Sequence, residues 1–239
     1  MNRALAAAVT AVAVAGCASL EPRADREVLS RILASVVQLR ADLDGTDRRA
    51  SSGVVIVSDP QSVRCWVITT RHLLQPTGPR RLSARLPGHE GSHGAEVLRI
   101  HDQLDLAILS VQGVAAPAVT LKDVTGLGQD VWVVGFPWGR RLTVVRGVVS
   151  QLAGDGHETR LEGPAVMVDA SVSYGASGGG IFEVSTGLLI GIVEGYRTAR
   201  VALPQAPESV FHVPVPGETT VVSSASVRRF LSSAGLDVE

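Results

Sequence analysis

Asp169-Ala-Ser-Val-Ser-Tyr-Gly-Ala-Ser-Gly-Gly-Gly180, running on into Ile-Phe-Glu-Val-Ser-Thr-Gly-Leu-Leu-Ile-Gly-Ile-Val193, decides which fold this chain can adopt. Ser177 stands between Gly175 and the run Gly178, Gly179 and Gly180. Glycine surrenders backbone entropy without packing anything, so such density fits a backbone that turns tightly and aims its N–H groups at a ligand. Gly175 to Gly179 also matches the G-x-S-x-G elbow of α/β folds, which leads from a strand into a helix with its histidine downstream. Here the residues after the serine are strand-like, around a Ser185-Thr186-Gly187 turn, and only His212 follows. The elbow is rejected. A serine in a glycine-rich loop of a β fold remains.

Outward from that loop the pattern stays β. Residues 53–57, 64–70, 82–86, 104–111, 131–134, 142–152, 165–168, 180–182, 188–193 and 211–213 are short runs rich in Val, Ile and Leu, separated by polar or Gly/Pro turns. A β-rich run at 35–39 precedes a polar loop at 42–50, Val97 and Ile100 mark a further strand, and His101-Asp102-Gln103 forms a tight polar corner before Leu104. Val28, Leu29, Ile32 and Leu33 lie on one face of a short helix introduced by Pro22 and Asp25. A final helix is capped by Ser224, turns Val227, Phe230 and Leu231 inward, and ends at Gly235. About a dozen strands between two helices predict an all-β, antiparallel barrel or sandwich.

The chain has 239 residues, 45% of them hydrophobic, with a formal net charge of −1. That suits one all-β domain and gives no electrostatic reason to expect a nucleic-acid partner. Asn2 and Arg3 open a positively charged start, and residues 4–15 are an Ala- and Val-rich run too short to span a bilayer as a helix, which needs about 20 residues. They read as a secretory signal. The run ends Val14-Ala15-Gly16-Cys17, which resembles the bacterial lipobox, so residues 1–16 are expected to be removed and Cys17 to carry lipid. A plain signal cut near Ala18 is the competing reading. Either way the mature domain lies outside the cytoplasm. With Cys17 lipidated, Cys65 has no partner for a disulfide and reads as a small buried apolar residue.

A serine hydroxyl needs a base to take its proton, and the base needs a carboxylate to fix its tautomer. His72 follows the strand at 64–70, and Asp105 opens Asp-Leu-Ala-Ile-Leu at the start of an apolar strand. The N–H groups of Gly175 and Ser177 are the candidate oxyanion hole. Asp102, in the polar corner, reads as solvated. His89-Glu90-Gly91-Ser92-His93 fits H-E-x-x-H, but that zinc chemistry needs a helix, and Pro87-Gly88, Gly91 and Gly94 argue for a loop. No metal or cofactor is expected. His101, His157 and His212 have no supporting motif.

These residues together resemble a chymotrypsin-fold (trypsin-like) serine protease, most closely the protease domain of the bacterial HtrA/Deg branch. The resemblance runs from about Val36 to Leu231. It rests on Ser52-Gly53-Val54-Val55-Ile56, Val67 to His72, Asp102 to Leu109, Val134 to Gly139 with Val144 to Ser150, and Val168-Asp169-Ala170 with Gly175 to Gly179. It implies two six-stranded antiparallel β-barrels with a His72–Asp105–Ser177 triad between them. The domain would span 35–239, with sub-barrels at roughly 35–120 and 121–222 and residues 17–34 as anchor and short helix. It also implies that Ser171, Val172 and Ser173 with Val193, Glu194 and Tyr196 line the substrate pocket. Ser171 stands where a trypsin carries an aspartate, which points to a small or medium apolar side chain in the substrate. Two positions depart from the family: Ala176 replaces its usual Asn, and Gly180 its usual Pro, which is expected to loosen the turn. No PDZ domain is expected. The implied protein is a lipid-anchored serine endopeptidase of the bacterial cell envelope, on the periplasmic face of the outer membrane if there is one. Its partners would be protein or peptide substrates, and the sequence leaves its oligomeric state open. An inactive peptide-binding relative is the alternative.

Overall fold

The computed structural model describes residues 23–43, 48–75, 78–152, 166–203 and 206–236; the signal, Cys17 and His157 lie outside them. Helix α1 (Arg23–Leu33) leads into β1 (Val36–Asp42), β2 (Arg48–Asp59), β3 (Arg64–Thr69), β4 (Arg81–Arg85), β5 (His93–Ile100) and β6 (Ala107–Gln112). These close as one antiparallel barrel in the order β1-β2-β3-β6-β5-β4. A second barrel, β10-β11-β12-β9-β8-β7, is built from β7 (Asp130–Gly135), β8 (Thr143–Leu152), β9 (Val166–Asp169), β10 (Gly180–Glu183), β11 (Leu189–Leu203) and β12 (Ala206–Ser223). Helix α2 (Ser224–Ser233) follows.

Period-two alternation explains why strands buried on both faces read as unbroken apolar runs. Val55, Val67 and Leu109 fill the first barrel, whereas Val54, Ile68 and Ile108 point outward to a shared core. In the second barrel Val133 and Ile181 face inward, and Val134 and Phe182 meet the same shared core. Ile32 of α1 and Val227, Phe230 and Leu231 of α2 complete it. Closure removes the unpaired strand edges that an open sheet would expose. It also leaves the two barrels face to face, where each can contribute to one site.

The cap of α2 lies one residue before the one expected from the sequence: the Ser223 hydroxyl accepts from the Ser226 N–H at 3.3 Å, while Ser224 is the first helical residue and its Oγ donates to the Lys122 carbonyl at 2.6 Å. It ends in a Schellman turn. Gly235 sits at φ 73°, with Gly235 N–H on Ser232 O and Leu236 N–H on Leu231 O, each at 3.0 Å.

Other boundaries also move. Residue 42 still belongs to β1 and residues 48–50 to β2, because Asp42 pairs with Arg48 and Arg40 with Ala50; polar composition concealed a solvent-facing ladder. The runs at 188–193 and 211–213 are parts of one long hairpin, in which exposed Val201, Phe211 and Val213 lie beyond the barrel. Leu104 and Asp105 precede β6 rather than starting it. His93 opens β5, opposite Ala84, so the H-E-x-x-H pattern straddles a turn and a strand.

Candidate active site

The first barrel supplies a histidine and a carboxylate. After β3, residues Arg71–Leu74 make one 3-10 turn, anchored by buried Leu73 and Leu74, which leaves the His72 side chain half exposed. Asp105 meets it twice: the His72 backbone N–H donates to Oδ1 at 2.9 Å, and ring Nδ1 lies 2.5 Å from Oδ2. With Nδ1–H turned to the carboxylate, Nε2 is left as the basic nitrogen. Burial alone would raise the Asp105 pKa. Hydrogen bonds from the His72 ring and backbone, with the nearby charges of His72 and Arg71, outweigh it and hold the group below its ordinary value. Arg71 Nη1 also donates to the carbonyls of His101 and Asp102, at 3.1 and 2.8 Å, pinning the corner that presents Asp105. Asp102 itself is exposed.

The second barrel supplies the serine, on the loop from β9 to β10. Its backbone donors divide into two groups. The N–H groups of Ala176, Gly178 and Gly179 bond to the carbonyls of Ser173, Val193 and Ala176 at 2.8 to 3.0 Å. Those of Gly175 and Ser177 have no acceptor among the described residues. Two glycines are obligatory here. Gly175 adopts φ 89°, and a Cβ on it would stand 2.7 Å from Trp138 N; Gly178 adopts φ 81°, with a Cβ position 2.5 Å from Thr69 Oγ1. Left-handed backbone and absent space together exclude side chains.

Sequence reading missed what holds this loop in place. Ser52 Oγ donates to Gly175 O at 2.8 Å and accepts from Phe136 N–H at 2.8 Å. Ser177 O accepts from Ser52 N–H at 2.8 Å and from Ser51 Oγ at 2.6 Å. Trp138, in the turn after β7, donates its backbone N–H to Tyr174 O at 2.6 Å, and its ring lies 5.5 Å from that of Tyr174. Hydroxyls at 51 and 52, beside an apolar strand, were the available signal. Ser51 and Ser52 are fully or nearly fully buried and belong to the other barrel.

Gly178 packs against Thr69, three residues before His72, so both half-sites share one cleft. Among the described residues no hydrogen bond joins Ser177 to His72, whose Nε2 has Thr70 Oγ1 as its neighbour at 3.5 Å. Of the expected pocket residues, Val193 is buried and bonds Gly178 and Gly179, Ser171 and Ser173 are exposed, and Val172, Glu194 and Tyr196 are partly buried. Gly180, the position expected to loosen the turn, lies just after it. It opens β10, laddered to Ile192 and Val134, with the Phe182 ring filling the space beside it. Cys65 is fully buried, and burial pushes its thiol up to about 11, far from a thiolate nucleophile. His101 accepts from the N–H groups of Gln103 and Leu104 and packs edge-on against Phe230. Among the described residues no three of His, Cys, Asp or Glu are grouped to hold a metal ion.

Two closed barrels with histidine, carboxylate and serine at their junction define a chymotrypsin-type architecture. The family model described as a trypsin-like peptidase domain matches residues 51–192, and the chain belongs to that family. It is 31% identical over 147 residues to the periplasmic pH-dependent serine endoprotease DegQ of Escherichia coli, covering 59% of this chain and 30% of that protein. Serine protease PepD of Mycobacterium tuberculosis is 25% identical over 187 residues, covering 72% and 39%. The chain thus spans well under half the length of these relatives. Among solved structures, a serine endoprotease from Yersinia pestis superposes with TM-score 0.67 at 18% identity, covering 89% of this chain and 67% of that one. The active form of the Rv3671c protease from M. tuberculosis gives 0.66 at 21%, covering 89% and 86%. These structural likenesses concern the fold.

Proposed function

We propose that this chain is a serine endopeptidase of HtrA type acting through His72, Asp105 and Ser177. The observation that carries the reading is the division of the 175–179 amides: three are used to fold the loop, and the two that an oxyanion would need have no acceptor among the described residues. In the first step Ser177 Oγ attacks the scissile carbonyl carbon while His72 Nε2 takes the hydroxyl proton. Asp105 holds the resulting imidazolium, and the Gly175 and Ser177 N–H groups receive the negative oxygen. Collapse breaks the C–N bond, His72 passes its proton to the leaving amine, and an acyl-enzyme remains on Ser177. Water then repeats the sequence and frees the acid. Ser171, Val172 and Ser173 with Val193, Glu194 and Tyr196 form the specificity pocket of this reading, for a small or medium apolar side chain. Cys17 carries the lipid anchor of a bacterial cell-envelope protein; the periplasmic address in the DegQ name agrees with an envelope location.

A fluorophosphonate probe tests the chemistry, because it reacts only with an activated serine. The full chain should label, and Ser177→Ala should abolish labelling. Labelling that survives Ser177→Ala, or is absent from the wild type both alone and with peptide added, leaves an inactive peptide-binding protein instead. Mass spectrometry of the purified membrane form tests Cys17: an unmodified mature terminus defeats the anchor.

A further inference from the structure

Strand β10 lies between β7 and β11, so Ser177, just before it, has a different neighbour on each flank. On one side stands the 193–196 segment of β11. On the other stands the turn after β7, whose Gly139 and Arg140 carbonyls both accept from Gln38 Nε2, at 2.8 and 3.0 Å. Gln38 lines two cavities that meet there, of about 460 and 500 Å³. They run from Phe136 and Arg140 across the outer face of the first barrel.

That face is crowded with one charge. Alternate residues of β1 and β4 pair as Gln38–Arg85, Arg40–Ser83 and Asp42–Arg81, and Arg48 stands opposite Asp42. Arg40, Arg48, Arg81 and Arg85 line the larger cavity, and Arg85 and Arg140 line the smaller. Among the described residues Asp42 is the one carboxylate lining either cavity, and it pairs with Arg48 at 3.4 Å. Arg81, Arg85 and Arg140 join no ion pair among the described residues, and all three are exposed. Like charges on neighbouring positions of a sheet face repel, and the chain as a whole is nearly neutral, so this cluster is not an overflow of basic composition. Arginine forks match carboxylates two bonds at a time.

We infer that this groove binds an acidic segment of the protein substrate lying on the leaving-group side of the scissile bond. The inference rests on the protease reading, because it takes the 193–196 wall as the acyl side. The opposite flank then receives the chain beyond the cut. Aspartate and glutamate side chains there meet Arg140 first, then Arg85, Arg40 and Arg81. The groove would select where along a substrate cleavage occurs, independently of the apolar pocket beside Ser171.

Two quenched-fluorescence peptides, identical up to the cleaved bond and continuing as Glu-Asp-Glu or Gln-Asn-Gln, test it on the full chain. The acidic peptide should show about tenfold higher kcat/KM, mostly through KM, at low salt. That ratio should fall to about one in 0.5 M NaCl, where screening acts within roughly 4 Å. It should also fall in the Arg81→Glu/Arg85→Glu double variant and in the milder Arg81→Gln/Arg85→Gln pair. A p-nitrophenyl ester, which has no residue beyond the reacting bond, reports the triad separately. Turnover of the ester with equal rates on both peptides overturns the groove and leaves the protease intact. If ester and peptides are all inert, the protease reading fails, and fluorescence anisotropy on Ser177→Ala still decides the groove: no preference for the acidic peptide overturns it. Pelleting of the chain with phosphatidylglycerol vesicles, without binding of the acidic peptide, assigns the arginines to a lipid surface and overturns it too.

Discussion

The two barrels contribute to one cleft in different ways. The first barrel's half-site is self-contained: His72 and Asp105 are joined by two hydrogen bonds, and Arg71 braces the corner from the same barrel. The second barrel's half-site is held from outside as well as by its own bonds to Ser173, Ala176 and Val193. Its loop hangs on Ser51 and Ser52, which belong to the first barrel, and on the turn that contains Trp138. Side chains can be positioned by local packing, whereas an oxyanion hole is made of backbone amides, which need their carbonyl partners fixed by something else. The buried Ser52 hydroxyl does this by accepting from one backbone group and donating to another. The serine loop should therefore be the more easily disturbed half.

Breaking the self-contained half should have the largest effect. Asp105→Asn should lower kcat about 10⁴-fold at neutral pH by favouring the wrong His72 tautomer. Its far-UV circular dichroism should stay unchanged, and a loss under tenfold would remove Asp105 from the triad. Breaking the tether comes next. Ser52→Ala leaves the Gly175 carbonyl and Phe136 N–H without their shared partner, so kcat should fall about 10²-fold, the scale of one lost oxyanion donor. Stability should fall by about 1–3 kcal/mol in urea titration. A stability loss without a kcat loss would show that the loop keeps its shape unaided.

The pH dependence of folding sharpens the same contrast. Asp105 has a folded pKa below its ordinary value of 3.8, so the unfolded chain takes up the proton more readily. Its stabilisation is present above about 3.8 and is lost as pH falls through that value toward the lower folded one. The acid limb of unfolding should flatten in Asp105→Asn, and an unchanged limb would contradict the two-point bond. The smallest effect belongs to Cys65. Its folded pKa is raised from 9.0 to about 11, so its contribution is full below 9.0 and lost between there and 11. Cys65→Ala should weaken that alkaline dependence, and the native thiol should resist alkylation at pH 8.

Much of this was legible in the sequence because it depends on local pattern. The strand runs at 53–57, 131–134 and 180–182 fall inside observed strands, since Val- and Ile-rich segments buried on both faces leave a continuous apolar signal. The glycines at 175 and 178 signalled tight backbone, and both adopt positive φ. What failed was polar: residues 48–50 hid a ladder, and the 211–213 run gave little hint that its strand begins at Ala206, because solvent-facing strands need no apolar alternation.

The sequence by itself determined an all-β chain, a serine in a glycine-rich loop and the order histidine, aspartate, serine. The first two follow from side-chain periodicity and from glycine's freedom within a few residues; the third rests on the needs of a serine nucleophile and on the resemblance to trypsin-like proteases. Only the tertiary structure decided that Ser52 holds Gly175 across 123 positions of chain, and that arginines from β1, β2 and β4 join Arg140 in one groove. Register and barrel closure set those distances. They are collective outcomes of packing the two sheets, and no local stretch encodes them.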